Sequence, residues 1–270
     1  MTVSCAAGKE VKEEKKINNN LIAAIGVIVS FIAIYIASIS VFLAFLGAAG
    51  ILAANLWGAN GVRTVAKYGI GTGVPSVGML ALGGAVGAVF AGLYIGKMLG
   101  IEVAAPILAF ILSMITGLLI GTCARYILKM NIPVMVRCMT EICGAGALLF
   151  MSQFVTITGS YGYAALEKLA EVGVVLFIFI IGALGMLHPY NACLGADERH
   201  GRTLKLALAT GSAQIILAGI VSIYFLGSVS ILTLLIGAVA WVVTYRDFVK
   251  TSFKEGIVVS TGLIPEVEKK

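Results

Sequence analysis

The sequence predicts an all-α, polytopic integral membrane protein: about eight transmembrane helices arranged as hairpins, with both termini cytoplasmic. Three observations carry this. Sixty per cent of the 270 residues are hydrophobic and only 12% are charged, against roughly 45 to 50% and about 25% in soluble domains. The apolar residues fall in runs of membrane-crossing length joined by short polar connections. The 19 Lys and Arg then sort onto one side of the predicted membrane. The 33 glycines suit the same class, because helices in lipid lack a hydrophobic drive to associate and pack through small side chains.

The opening "MTVSCAAGKEVKEEKKINNN" is polar and charged. The apolar stretch after it is too long for the core of a signal peptide, so residues 1–20 are expected to be a cytoplasmic N-terminal tail. Residues 21–57 contain no charge. As one helix they would span ~55 Å, nearly twice a hydrocarbon core of about 30 Å, so they are expected to form a hairpin turning near residues 38–40. Six further spans are expected at residues 77–95, 103–124, 140–157, 172–187, 206–226 and 229–244, closing a transmembrane domain of residues 21–244. Residues 245–270 read as a cytoplasmic interfacial helix and tail. In "YRDFVKTSFKEG", Tyr245, Phe248, Val249 and Phe253 share a face, with Arg246, Lys250 and Lys254 on others, the pattern of a helix lying in the membrane interface. A docking helix for another subunit would carry the same pattern.

Cytoplasmic loops are rich in Lys and Arg. With both termini inside, Lys9, Lys12, Lys15, Lys16, Arg63, Lys67, Arg125, Lys129, Arg137, Arg199, Arg202, Lys205, Arg246, Lys250, Lys254, Lys269 and Lys270 lie inside, and only Lys97 and Lys168 lie outside. The formal charge of +6 is therefore spread along short connections. It forms no patch suited to nucleic acid and is accounted for by membrane orientation. "VRTVAKYGIGTG", "VRCMTEICGAG" and "GRTLKLALATG" each place an Arg at the cytoplasmic mouth with small residues about two turns later, a weak internal repeat consistent with a duplicated hairpin. The five cysteines form no CxxC and no metal spacing and suit free thiols.

No carboxylate sits at the centre of a predicted span. Glu141 comes nearest, but it stands one helical turn after Arg137, where a local pair satisfies it. Glu102, Glu167 and Glu171 belong to outer turns. Proton relays use intramembrane acids, so the chain alone is a poor proton pump. The remaining polar groups in the spans are neutral: Asn55, Ser113, Thr116, Ser152, Gln153, Ser212 and Gln214. Hydrogen bonding between helices accounts for most of them. His188, Cys193, Asp197, Glu198 and His200 share one cytoplasmic turn, but their spacing fits no closed zinc pattern, and the proline after His188 is expected to end a helix. No metal site and no catalytic residue are assigned.

"GIGTGVPSVG", residues 69–78, breaks the entrance to the third span with glycines and a proline. It lacks the Lys-Ser/Thr pair of a P-loop. Packing explains its glycines as close helix contacts and Pro75 as a helix starter. Function would instead use freed carbonyls with the hydroxyls of Thr72 and Ser76, oxygens able to hold Na⁺ where a helix is unwound. Thr72, Gly73, Pro75, Ser76, Glu141 and Gln153 are the candidate ion-path or interface residues.

Three stretches together, "WGANGVRTVAKYGIGTGVPSVG", "NIPVMVRCMTEICGAGAL" and "HPYNACLGADERHGRTLKLALATG", resemble the C subunits of the tetrahydromethanopterin S-methyltransferase complex of methanogenic archaea. The resemblance runs from about Asn18 to Tyr245. It implies a complex that moves a methyl group from N5-methyl-tetrahydromethanopterin to a corrinoid on another subunit, then to coenzyme M, coupled to Na⁺ export. It also implies that this chain is one of three large membrane subunits in the cell membrane and carries no corrinoid itself. Its expected partners are the other subunits, especially the other two large membrane subunits, and membrane lipids, with no nucleic acid. No catalytic activity is expected from this chain alone. A stand-alone secondary transporter of a small solute is the alternative from another class.

Overall fold

The computed structural model describes residues 18–66, 73–193 and 201–256, and every regular element in them is helical. Asn18 starts helix α1 (Asn19–Ala37) by accepting the backbone N–H groups of Asn20 and Leu21 at 3.1 and 3.2 Å, which satisfies donors that have no partner within the helix. The chain turns over residues 38–40, as expected. A short 3₁₀ stretch (Val41–Leu46), capped by Ser40, leads into α2 (Gly47–Ala66). α2 outruns the apolar sequence and carries Arg63 in its last turn. The guanidinium is satisfied there by the side chains of Asn60 (2.8 Å) and Asn19 (3.2 Å).

α3 (Gly73–Met98) has Pro75 in its first turn, where a missing N–H costs nothing. A 3₁₀ turn then leads into α4 (Ala105–Thr122), which runs on as a π-turn over Cys123–Ile127. α5 (Met135–Thr158) stops at Gly159, whose φ of +70° favours glycine. The short α6 (Tyr163–Glu171) lies at 96° to α7 (Val174–Cys193). α8 (Arg202–Leu226) and α9 (Ser230–Gly256) close the fold.

The core is built around α5, 19 of whose 24 residues are buried; α1, α2, α3, α4 and α8 all pack on it. The approach of α4 to α5 depends on glycine: a Cβ at Gly117 would stand 2.6 Å from the Met139 carbonyl oxygen, and one at Gly121 2.7 Å from the Val136 Cα. Among the described residues, six helical stretches are long and apolar enough to cross a membrane, or seven if the bent α6–α7 pair counts as one. The longest, Arg202–Phe253, doubles back at Gly227 (φ +60°). Ser212 meets Thr244 (3.3 Å) and Lys205 meets Asp247 (3.1 Å), so α8 and α9 run antiparallel, side by side.

Three expectations are corrected. Pro189 does not end a helix; α7 continues through it to Cys193. A proline deprives the carbonyl four residues back of its hydrogen bond, and here the Thr210 hydroxyl donates to that carbonyl, Gly185, at 3.1 Å, the kind of replacement that lets membrane helices tolerate proline. The interfacial helix expected from Tyr245 is not a separate element. Residues 238–255 contain neither Gly nor Pro, Phe248 packs on Leu206 and Ala209, and Lys205 holds Asp247 and Thr251, so α9 runs on unbroken. The three Arg-bearing segments are not equivalent either. Arg137 and Arg202 stand in the first turns of α5 and α8, whereas Arg63 stands in the last turn of α2.

Candidate functional site

The most concentrated polarity inside the bundle comes from three neutral amides on three helices. Asn55 of α2, Gln214 of α8 and Gln153 of α5 are all essentially buried. Asn55 Nδ2 donates to the Ala207 carbonyl (2.7 Å), Gln214 Nε2 donates to Asn55 Oδ1 (3.1 Å), and Gln153 Nε2 donates to Gln214 Oε1 (3.0 Å). Among the described residues, Gln153 Oε1 is buried without a partner. The direction of this chain is fixed at one end. A carbonyl can only accept, so Asn55 must turn its NH₂ to Ala207 and its oxygen to Gln214. Each following amide is then forced into the same sense, so the far terminus of the chain is an acceptor, Gln153 Oε1.

Glycine makes room for the chain. A Cβ on Gly185 of α7 would overlap Gln214 Nε2 and stand 2.7 Å from Asn55 Oδ1; one on Gly211 would lie 3.3 Å from Asn55 Nδ2. The Thr210 hydroxyl, which relieves the carbonyl freed by Pro189, also lies 3.1 Å from the Ala207 oxygen. The helix irregularity of α7 and the amide chain thus share neighbouring atoms. The cluster holds no ionisable group. Such hydrogen bonds fix the register of α2, α5 and α8, and interhelical bonds in membranes contribute about 0.6 kcal/mol on average.

The other polar groups of the spans bond within their own helix or to one neighbour. Ser113 bonds the Cys143 carbonyl (2.5 Å), Thr116 that of Leu112 (2.8 Å), and Ser212 that of Leu208 (2.8 Å). Ser152 Oγ is buried without a partner among the described residues.

The candidate residues read from sequence do not form one site. Thr72 lies outside the described residues, and Gly73 and Pro75 fall in the first turn of α3. Ser76 is exposed. Glu141 is paired with Arg137 (Nε to Oε1, 2.6 Å), whose Nη2 donates to Asn20 Oδ1 (2.7 Å). Twelve residues of α5, ~18 Å of helix, separate Glu141 from Gln153. Of the His, Cys and acid grouping, His188 is exposed on α7 and Cys193 is the last residue of that helix, while Asp197, Glu198 and His200 lie outside the described residues. Among the described residues, no three His, Cys, Asp or Glu side chains gather. Sequence reasoning named Asn55 and Gln214 as polar residues within spans, but their meeting with Gln153 closes over separations of 159 and 61 residues, and no local signal reports that.

The model of one family, MtrC, the C subunit of tetrahydromethanopterin S-methyltransferase, matches residues 3–268. The chain belongs to this family. The corresponding C subunit of Methanosarcina mazei is 42% identical over 228 residues, covering 83% of this chain and 84% of the relative. That of Methanosarcina barkeri is 38% identical over 252 residues, 92% of each chain. That of Methanothermobacter thermautotrophicus is 37% identical over 222 residues, 82% of each. As a member of the MtrC family, the chain is part of the methyltransferase complex of methanogenesis and a multi-pass membrane protein.

Proposed function

We propose that this protein is a membrane scaffold of the complex that transfers a methyl group from N5-methyl-tetrahydromethanopterin to coenzyme M with Na⁺ export, and that it shapes the ion path without carrying the cation through its own core. The observation that supports this most is the neutral centre of the bundle: among the described residues the buried charge, Arg63, stands in the last turn of α2. The central helix α5 meets its neighbours through amides and hydroxyls, and its carboxylate, Glu141, is held by Arg137. As the family resemblance implies, corrinoid chemistry belongs to a partner, and the other two large membrane subunits are the main partners.

In this reading eight helices cross the membrane: α1 to α5, α7, α8 and α9. Both termini are cytoplasmic, on the side of Arg63, Arg137 and Arg202. At the opposite end, the ring pairs Tyr35–Tyr161 and Tyr94–Tyr163, with Lys97 stacked 4.5 Å from the Tyr163 centroid, form an aromatic belt of the kind found at the membrane surface. The segment around Thr72, Gly73, Pro75 and Ser76 acts as a helix entrance that another helix approaches closely, with Na⁺ contact as the second reading.

The test is purification from membranes through an affinity tag on this chain. The scaffold reading expects the other methyltransferase subunits to co-purify, and expects the isolated chain to show neither methyl transfer nor solute transport in vesicles. Transport of a small solute by the isolated chain would establish the independent transporter instead.

A further inference from the structure

α4 ends in an unusual way. After Thr122 the backbone widens into the π-turn Cys123–Ile127, closed by Leu128 N–H to the Cys123 carbonyl (3.0 Å) and Met130 N–H to the Ala124 carbonyl (3.1 Å). Between these two donors stands Lys129 with φ +53°, the one non-glycine residue with positive φ among the described residues. Glycine is the ordinary occupant of such a position. A lysine there carries backbone strain, and an observed outlier of this kind points to use.

The turn displays three apolar side chains in succession, Tyr126, Ile127 and Leu128, each about two-thirds exposed. They continue an exposed stripe of α4, Ile107, Ile111, Ile115 and Leu119, the face this helix turns away from the bundle. Two cations flank them. Arg125 donates to the Pro133 carbonyl (3.0 Å) and lies 5.3 Å from the Tyr126 ring centroid. Among the described residues neither Arg125 nor Lys129 meets a carboxylate. Twenty residues of helix from Ala105 to Arg125 rise about 30 Å, the thickness of a hydrocarbon core. If the outer end of α4 sits at one boundary, Arg125 and Lys129 sit at the other, among headgroups.

We propose that the turn of residues 123–130 binds the phosphate of an anionic membrane lipid, gripped by Arg125 and Lys129, with Tyr126, Ile127 and Leu128 seated among the adjoining chains. Charge complementarity and the unbroken run from a bilayer-facing stripe select lipid over an acidic protein surface. The π-turn matters because it keeps three consecutive apolar residues outward at the level where the two cations reach the phosphate. The inference rests on α4 crossing the membrane.

The experiment uses the intact complex in nanodiscs of phosphatidylcholine, with or without phosphatidylglycerol, and reads by native mass spectrometry how much phosphatidylglycerol each copy retains. The wild type should retain it. Arg125→Gln with Lys129→Gln should lose it, with affinity falling about fivefold for each cation removed. The exchange Arg125→Lys with Lys129→Arg, which keeps both charges, should bind as the wild type does. Equal retention by the neutral double variant would overturn the proposal. So would a neutral variant that sheds a subunit in both lipid compositions while the charge-keeping variant does not, because the turn would then dock an acidic protein partner.

Discussion

Replacing Gln214 by Leu removes the middle of the amide chain while keeping a similar volume. Two hydrogen bonds go, those at 3.0 Å to Gln153 and 3.1 Å to Asn55, and Gln153 Nε2 and Asn55 Oδ1 are left buried without partners. At about 0.6 to 1.7 kcal/mol for each interhelical bond in a membrane protein, the loss is roughly 1 to 3 kcal/mol. Gln153→Leu acts differently. It deletes one bond and strands Gln214 Oε1, but it also removes Gln153 Oε1, an acceptor already unpaired, so the two desolvation terms cancel and the cost is about 0.6 kcal/mol. Thermal unfolding of the purified complex in one detergent, followed by circular dichroism, separates the two. At about 2 to 4 °C per kcal/mol, Gln214→Leu should lower Tm several degrees more than Gln153→Leu. Equal or reversed effects would refute the directional chain, because they would mean that something already completes the far acceptor.

Gly185→Ala should lower the yield of assembled complex more than Gly83→Ala on α3: its Cβ would overlap Gln214 Nε2, whereas a Cβ at Gly83 meets nothing within 4 Å, and overpacking typically costs ~1 to 3 kcal/mol. In sealed right-side-out vesicles, a cysteine introduced at Gly162 should react with an impermeant thiol reagent while Cys193 resists; the opposite pattern would invert the proposed topology. Thr72→Val should leave both assembly and the Na⁺ dependence of methyl transfer nearly unchanged, and Gly73→Leu should weaken assembly. A Thr72→Val complex that assembles normally but needs much more Na⁺ would place that segment on the ion path.

Hydropathy and charge, which act along the chain, made the helices legible in the sequence. The turn at residues 38–40 followed from length alone, and the Arg137–Glu141 pair from helical spacing. What escaped depended on a second helix. Pro189 looked like a terminator because the hydroxyl that relieves it, Thr210, lies on α8. Tyr245 looked like the start of a new element because Lys205, which holds α9 in line at Asp247 and Thr251, lies far back in the sequence. Gln153 was named as a candidate, but the direction of its amide is set by a backbone carbonyl on α8, a fact no side-chain pattern records.

The position of α5 bears on how the protein is made. Of the candidate spans it is the least apolar, yet it is the most completely enclosed. A segment of modest hydrophobicity partitions weakly into lipid by itself, so its residence in the bilayer depends on company. α1 to α4 precede it in synthesis and offer the surfaces it needs, including the glycine face of α4 at Gly117 and Gly121. Damage to those early helices is therefore expected to act first on membrane integration, because α5 would lose the surfaces it packs on.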